Sequence, residues 1–236
     1  MDDKEVIIQF EREYWNKGYK LIAGIDEAGR GPLAGPVVAA AVIFPQSVIP
    51  FLFKDSKKLT EKRRKELFFK IFEKAICVGV GFADSLEIDK LNILNATKLA
   101  VKRALSSLPV QPDFLITDAL EIEEFKDRSL VLTKGDEKSF SCACASVVAK
   151  VTRDFIMEKL AELFPAYGFE KHKGYPTKFH ISKIEEIGIS PVHRRSFGRV
   201  REKKERGIGR EDSFPLSVEE RLLYYQEKLQ ELLRGD

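Results

Sequence analysis

The sequence predicts an α/β domain built on a mixed sheet, with a helical C-terminal part. Three observations carry that expectation. Short apolar runs bounded by Gly and Pro alternate with amphipathic stretches of helical period. The first two runs are close enough in sequence to form an antiparallel hairpin. The order is then three strands, helix, strand, strand and helices, which is the order of a mixed-sheet α/β domain.

Leu21 to Ile25 is the first apolar run and ends in two acids. Val37 to Phe44 comes after a Gly/Pro-rich turn, and its bounding Pro36 and Pro45 mark it as strand rather than helix. Thr60 is placed to cap a basic amphipathic helix through about Lys74. Ile76 to Ala83 alternates, carries Gly79 and Gly81, and reads as a third strand. Ser85 is placed to cap the next helical segment, after which Ile93, Ala96, Leu99, Ala100, Arg103 and Ala104 form one helix face. Phe114 to Thr117 is a strand ending at Asp118, and Leu130 to Leu132 is another. Asp136 is positioned to cap one long helix from Glu137 to about Leu163. Irregular chain runs from Pro165 to Pro176, then a helix from about Thr177 to Glu186. Arg194 to Pro215 reads as a charged connector. The final helix opens on the capping box Ser217-Val218-Glu219-Glu220, with Leu222, Tyr225, Leu229, Leu232 and Leu233 as its stripe. The expected organisation is a domain over 1–198, with 199–236 as connector and amphipathic helix belonging or appended to it.

The chain has 236 residues, of which 44% are hydrophobic and 33% charged, and a formal net charge of +3. A real core is therefore possible and disorder is excluded. The charge is uneven: Lys54 to Lys74 and His193 to Asp212 are strongly basic, and the remainder is net acidic. Such segments suit a polyanionic partner, although a solvated helix face produces the same pattern. No stretch approaches the twenty apolar residues of a membrane span, and Met1 to Glu13 lacks a hydrophobic signal core, so a cytoplasmic protein is expected. The three cysteines (Cys77, Cys142, Cys144) fit a reducing compartment. Cys142 and Cys144 are two apart, do not face each other on a helix, and read as small buried thiols.

Asp26, Glu27, Asp118 and Asp136 each sit where an apolar strand ends or a helix starts, where ligand sites gather in open α/β sheets. Four carboxylates brought together repel one another unless divalent cations neutralise them, and hard oxygen ligands suit Mg2+ or Mn2+. Taken singly, each acid is equally an ordinary strand-end or cap residue. Adjacent strand residues point to opposite faces, so Asp26 and Glu27 share a site only if the strand ends or twists there. Gly24, Gly29 and Gly31 would supply the freedom for that. Gly29 to Ala34 also fits G-x-G-x-x-A, the dinucleotide-binding fingerprint. Three points oppose it. The preceding acids would repel a pyrophosphate, Pro32 and Pro36 would disrupt the required helix, and Val37 to Phe44 reads as strand where that helix should be.

Five separated motifs, in order, are similar to those of bacterial ribonuclease HII and span roughly Leu21 to Phe197. They are Ala23-Gly24-Ile25-Asp26-Glu27-Ala28-Gly29-Arg30-Gly31-Pro32-Leu33-Ala34-Gly35-Pro36 with its Val/Ala continuation, Asp55-Ser56-Lys57-Lys58-Leu59, and Asn95-Ala96-Thr97-Lys98-Leu99-Ala100. The last two are Lys134-Gly135-Asp136 with Ala145 to Asp154, and His172-Lys173-Gly174-Tyr175. The resemblance implies a ribonuclease H-like fold: a mixed five-stranded sheet flanked by helices, with a C-terminal helical extension. It also implies an endonuclease that hydrolyses the RNA strand of RNA–DNA hybrids and nicks duplex DNA 5′ to embedded ribonucleotides. Metal-activated water would leave a 3′-hydroxyl and a 5′-phosphate.

By the same resemblance, Asp26, Glu27, Asp118 and Asp136 are the catalytic metal ligands, for Mg2+ or Mn2+, two ions with substrate bound. Gly29, Arg30 and Gly31 form the loop that reads the ribose 2′-hydroxyl, and Tyr175 stacks at the RNA–DNA junction. Ser56 and Lys57 would hold phosphates. Lys150 and Arg153 would do likewise or pair with nearby acids. His172 and His193 would shuttle protons or stand by as loop histidines. The implied partners are nucleic-acid duplexes, with no membrane, and a monomer is expected. Two rivals are a resolvase-like nuclease of the same fold, which would cut all-DNA substrates, and a non-catalytic binding module, which would not need the acidic quartet. Ribonuclease HIII carries an extra N-terminal substrate-binding domain, and only about twenty residues precede the first strand here, which argues against that subtype. The sequence departs from the ribonuclease HII pattern at Ala119-Leu120, where the family usually has glycine, and at Ser141 to Cys144, which replace small apolar residues.

Overall fold

In the computed structural model of the chain, the described residues are 7–51, 59–201, 214–215 and 217–235. The elements run α1 (Gln9–Asn16), β1 (Ile22–Ala28), β2 (Val37–Ile43), α2 (Glu61–Lys74), β3 (Cys77–Ala83), α3 (Ser85–Leu91), α4 (Ile93–Ser106), β4 (Phe114–Asp118) and β5 (Ser129–Leu132). They continue as α5 (Gly135–Lys138), α6 (Phe140–Leu163), α7 (Phe169–His172), α8 (Lys178–Ile187) and α9 (Val218–Arg234). Two compact units emerge: Met1–Ala28, Ala39–Gly81 and Ala100–Val151 form the first; Gly29–Val38, Phe82–Leu99 and Thr152–Asp236 form the second. No helix among the described residues is long and apolar enough to cross a membrane.

The first unit is organised by a mixed five-stranded sheet in the order β3-β2-β1-β4-β5. β1 runs parallel to β4 with Ile25 opposite Thr117, and β4 parallel to β5 with Asp118 opposite Leu132. Every residue of β2 is buried, which is why Val37 to Ile43 reads as a continuous Val/Ala/Ile run rather than an alternating one. The glycines of β3 permit close helix packing. A Cβ at Gly79 would come within 2.1 Å of the Ala104 carbonyl oxygen, and one at Gly81 within 2.1 Å of the Ala100 oxygen. Thr60 caps α2 as expected, its hydroxyl accepting from Arg63 N.

One element was not read from the sequence, and two local expectations are corrected. The polar segment Gln9–Asn16 is helical, and its Phe10, Tyr14 and Trp15 pack against Ile22, Phe114, Ile116, Leu132 and Cys142. The cap of α3 is Asp84, not Ser85, in a full capping box with Glu87. The long helix does not start at Asp136. The short helix α5 holds Gly135 and Asp136, Ser139 is extended, and α6 begins at Phe140.

In the second unit α9 is fastened through a buried polar cluster. Its Ser217 capping box forms as expected. Arg221 Nη1 lies 2.8 Å from Asp84 Oδ2, and Tyr225 OH donates to Asp84 Oδ1 at 2.6 Å, with all three side chains buried.

Candidate active site

The strand register explains how two of the acids meet. β1 and β4 are parallel, and Ile25 pairs with Thr117, so the next residues, Asp26 and Asp118, stand side by side, Asp118 at the end of β4 and Asp26 two residues before the end of β1. Asp118 is then engaged from β5: Gly135 N–H donates to Asp118 Oδ1 at 2.8 Å. A Cβ on Gly135 would lie only 3.1 Å from the Asp118 Cα, so glycine lets the turn carrying Asp136 rest on Asp118. Lys134, in left-handed conformation at φ 58°, turns the chain into that position.

Asp26 is buried and its carboxylate turns back to accept from Glu27 N at 2.7 Å. Burial pushes its pKa well above the ordinary value, and the charges of Glu27 and Asp118 push in the same direction, against a hydrogen bond from Ser146. β1 continues to Ala28, so the strand does not end at Asp26, yet the Glu27 charge still acts on the Asp26 carboxyl. Among the described residues, no three acids, histidines or cysteines close on one point as a finished metal cage. What is present is a set of hard oxygen donors in which the charges of Glu27 and Asp118 act against the Asp26 carboxylate, a repulsion that a divalent cation would relieve.

Gly24 has a packing role, not the conformational one expected. A Cβ there would come 2.2 Å from the backbone carbon of Ser141, so the strand beneath Asp26 presses on the start of α6. That start is pinned from the other end of the sequence. The buried Glu11 on α1 accepts from Ser139 Oγ at 2.6 Å, Ser141 N at 2.9 Å and Ser141 Oγ at 2.5 Å. The Ser141 to Cys144 departure is therefore more than a packing change at its first residue. Burial raises the Glu11 carboxyl above its ordinary value despite those donors. Cys142 and Cys144 are buried thiols, as expected, and burial raises both.

The second unit holds the other expected residues. Gly29 needs its lack of a side chain twice over: φ is +98°, and a Cβ would fall 2.1 Å from Arg153 Nε. Gly31 has ordinary backbone, and a Cβ there would lie 3.7 Å from Tyr175 Cε1. Arg30, Gly31 and Tyr175 are exposed, with Tyr175 at 42%. Leu33 N donates to Gly174 O at 2.8 Å and ties the glycine loop to the tyrosine loop.

Two arginines support these loops from inside. Arg194 is fully buried; its Nη2 donates to Gly29 O and Gly35 O, its Nη1 to Arg30 O and Pro32 O, and its Nε to Gly35 O, all at 2.7–3.1 Å. Arg153 donates to Pro36 O, Lys173 O and Ala34 O at 3.0–3.2 Å. Its guanidinium is thus occupied by carbonyls, not by a phosphate as the sequence allowed. Burial lowers Arg194 to about 9, with the Arg153 charge acting in the same sense, and burial lowers Arg153 to about 10. Sequence reasoning missed Arg194 altogether because it lies in a segment read as a charged connector.

The three histidines are buried, and two of them form a relay that ends on Tyr175. Ser190 N donates to His193 Nδ1 at 3.0 Å, His193 and His180 meet through their Nε2 atoms at 3.0 Å, and His180 Nδ1 lies 3.0 Å from Tyr175 O. A carbonyl only accepts, so His180 carries its proton on Nδ1 and receives one from His193 Nε2. His172 accepts from Gly174 N at Nδ1 and donates from Nε2 to Tyr167 O at 2.8 Å. Each imidazole is neutral and structural. Burial lowers His180 to about 4 and His193 to about 3.

Ser56 and Lys57 lie outside the described residues. Much of the basic character of α2 is compensated on its own surface by the ion pairs Arg63–Glu66 and Lys65–Glu61. Lys173 pairs with Glu158 at 2.7 Å.

A family model described as ribonuclease HII matches residues 23–200. The chain is similar to ribonuclease HII of Acetivibrio thermocellus, 54% identical over 188 residues that cover 80% of this chain and 73% of that one. It is 51% identical over 197 residues to ribonuclease HII of Aquifex aeolicus, covering 84% of this chain and 99% of the other. The crystal structure of ribonuclease H2 from Pyrococcus horikoshii superposes with a TM-score of 0.64 at 30% identity, over 77% of this chain and 95% of that one.

Proposed function

The chain belongs to the ribonuclease HII family and is a metal-dependent endonuclease of the ribonuclease H type; on that premise we propose that it nicks duplexes 5′ to a ribonucleotide, leaving a 3′-hydroxyl and a 5′-phosphate. The substrates are RNA–DNA hybrids and DNA duplexes with embedded ribonucleotides. The observation that carries this reading is the parallel register that sets Asp26 beside Asp118, with Gly135 seated on Asp118 and Asp136 next to it.

Asp26, Glu27, Asp118 and Asp136 are the residues that would hold Mg2+ or Mn2+, as two ions when substrate is present. The donor set fits: all are hard oxygens, and Asp26 is held above its ordinary pKa by burial and by its acidic neighbours, a state that a cation reverses. When bound, the cation supplies Lewis-acid activation of water and charge neutralisation at the departing oxygen. The chain's own groups orient the ligands: the Gly135 amide fixes one Asp118 oxygen, and the Glu27 amide fixes one Asp26 oxygen. Gly29, Arg30 and Gly31 bring backbone close to the sugar and identify its 2′-hydroxyl, while the exposed Tyr175 ring offers a stacking face. Ser56 and Lys57 are assigned to phosphates, by resemblance only.

Asp118→Asn tests the assignment. Cleavage of a duplex with one ribonucleotide should fall at least ~100-fold, because a ligand that carries charge is replaced by one that does not. Retention of the native rate would remove Asp118 from the site. Equal cutting of an all-DNA duplex by the native protein would instead favour a resolvase-like nuclease.

A further inference from the structure

The glycine loop from Gly29 to Pro36 has few side chains with which to hold its own shape, so its conformation must be imposed by whatever receives its backbone. The destination of its carbonyls is unusual. Those of Gly29, Arg30, Pro32 and Gly35 all end on the guanidinium of Arg194. Those of Ala34 and Pro36 end on Arg153, and that of Leu33 on the Arg194 amide. The loop is wrapped around two buried cations.

A trans peptide is planar, and its C=O and N–H point in opposite directions. Drawing the carbonyls of Gly29 and Arg30 inward onto Arg194 therefore turns the amides of Arg30 and Gly31 outward. Those amides belong to the exposed residues of the loop. They are donors suited to an oxygen acceptor such as a sugar hydroxyl, and Tyr175 lies close to Gly31, 3.7 Å from where a Cβ would sit. Arg153 links this arrangement to the tyrosine, because it also holds Lys173 O, and its guanidinium carbon lies 5.9 Å from the Tyr175 ring centroid. A lysine would keep the charge in either place, but a single ammonium cannot reproduce a planar fan of donors to several carbonyls.

We propose that Arg194 and Arg153 are positioning residues for sugar recognition: they set the direction of the Arg30 and Gly31 amides and their spacing from Tyr175 without themselves touching substrate. This rests on the reading that the loop and Tyr175 contact the ribonucleotide.

The test is steady-state cleavage of a duplex with one ribonucleotide, with the same duplex in all-DNA form as competitor. The quantity read is the competitor's Ki divided by the substrate's KM. Arg194→Lys and Arg153→Lys should each lower that ratio about tenfold, the equivalent of one lost buried hydrogen bond, and should do so through KM. A role in folding alone would reduce the active fraction, lowering apparent kcat and leaving both KM and Ki unchanged. Thermal melts establish which variants fold, and a folded variant with the native ratio overturns the proposal. If neither variant melts cooperatively, the role is structural and the proposal also falls. Tyr175→Ala and Gly31→Ala separate the two levels. If these keep the native ratio, the loop does not read the sugar. If they lower it while the folded arginine variants do not, only the positioning role is lost.

Discussion

Lowering the pH should leave the buried histidine relay uncharged far below the point at which free imidazole titrates. In the fold, Ser190 donates to His193, His193 to His180, and His180 to the Tyr175 carbonyl. A second proton on His193 would set an N–H against the Ser190 amide, and one on His180 would set it against the His193 N–H. Burial adds to this, lowering His180 to about 4 and His193 to about 3. The unfolded chain binds these protons near pH 6.5 and the folded chain does not. The stability contributed by the pair is therefore complete above pH 6.5 and is lost progressively as pH falls through the folded-state values. At pH 5, each imidazole held neutral costs about 2 kcal/mol, or about 4 kcal/mol for the two, a large part of a typical domain stability. Overall stability is a blunt readout, because burial raises Asp26 and Glu11, which take up protons in the folded state and act in the opposite sense. Long-range 1H–15N correlation spectra are direct, since the chain has only three histidines. Between pH 8 and pH 5 the spectra should show His180 protonated at Nδ1, and His172 and His193 at Nε2, without titration of His180 or His193. A midpoint above pH 6 for either of those two, or an Nε2-protonated His180 at neutral pH, would refute the relay.

Ala119 adopts φ 50° directly after Asp118; Ala119→Gly should remove that strain and stabilise the protein by about 1 kcal/mol in urea unfolding, with cleavage retained. Asp84→Ala should destabilise by about 3–5 kcal/mol, because it strands the buried Arg221 guanidinium and the Tyr225 hydroxyl; a loss below 1 kcal/mol in the same measurement would deny the cluster its role. Glu11 is raised in the fold, so it stabilises fully below its unfolded value and loses that contribution as pH rises through the folded one. Glu11→Gln should accordingly shift the thermal midpoint more favourably at pH 8 than at pH 5, and an opposite order of the two shifts would show the carboxylate to be the form the site prefers.

What was legible in the sequence was what local chemistry decides. Thr60 and Ser217 announce helix starts because an N-cap hydroxyl acts within three residues. The Pro-bounded Val37 to Phe44 run announces a buried strand for a similar reason. Asp136 shows where this logic stops. Asp is a good cap in its own right, and a cap for one long helix was the natural expectation. The chain instead turns through Lys134 in a left-handed conformation, seats Gly135 on Asp118, and restarts the helix at Phe140. That choice is made by Asp118, seventeen residues earlier in the chain, and by Glu11, whose carboxylate takes the Ser139 and Ser141 donors. No window short enough to read as a pattern contains both. The same reason hid α1, whose mean composition is polar although Phe10 and Tyr14 share a face one turn apart and Trp15 packs with them. Arg194 is the strongest instance. In sequence it is one cation in a basic run, and a basic run points outward to a polyanion. In the fold it is buried, and its partners are carbonyls 159 to 165 residues away. A charge committed to the interior in this way must be subtracted from the apparent nucleic-acid footprint of His193 to Asp212. Part of that footprint therefore shapes the loop that would meet the sugar, and only the remainder is available to meet the phosphates.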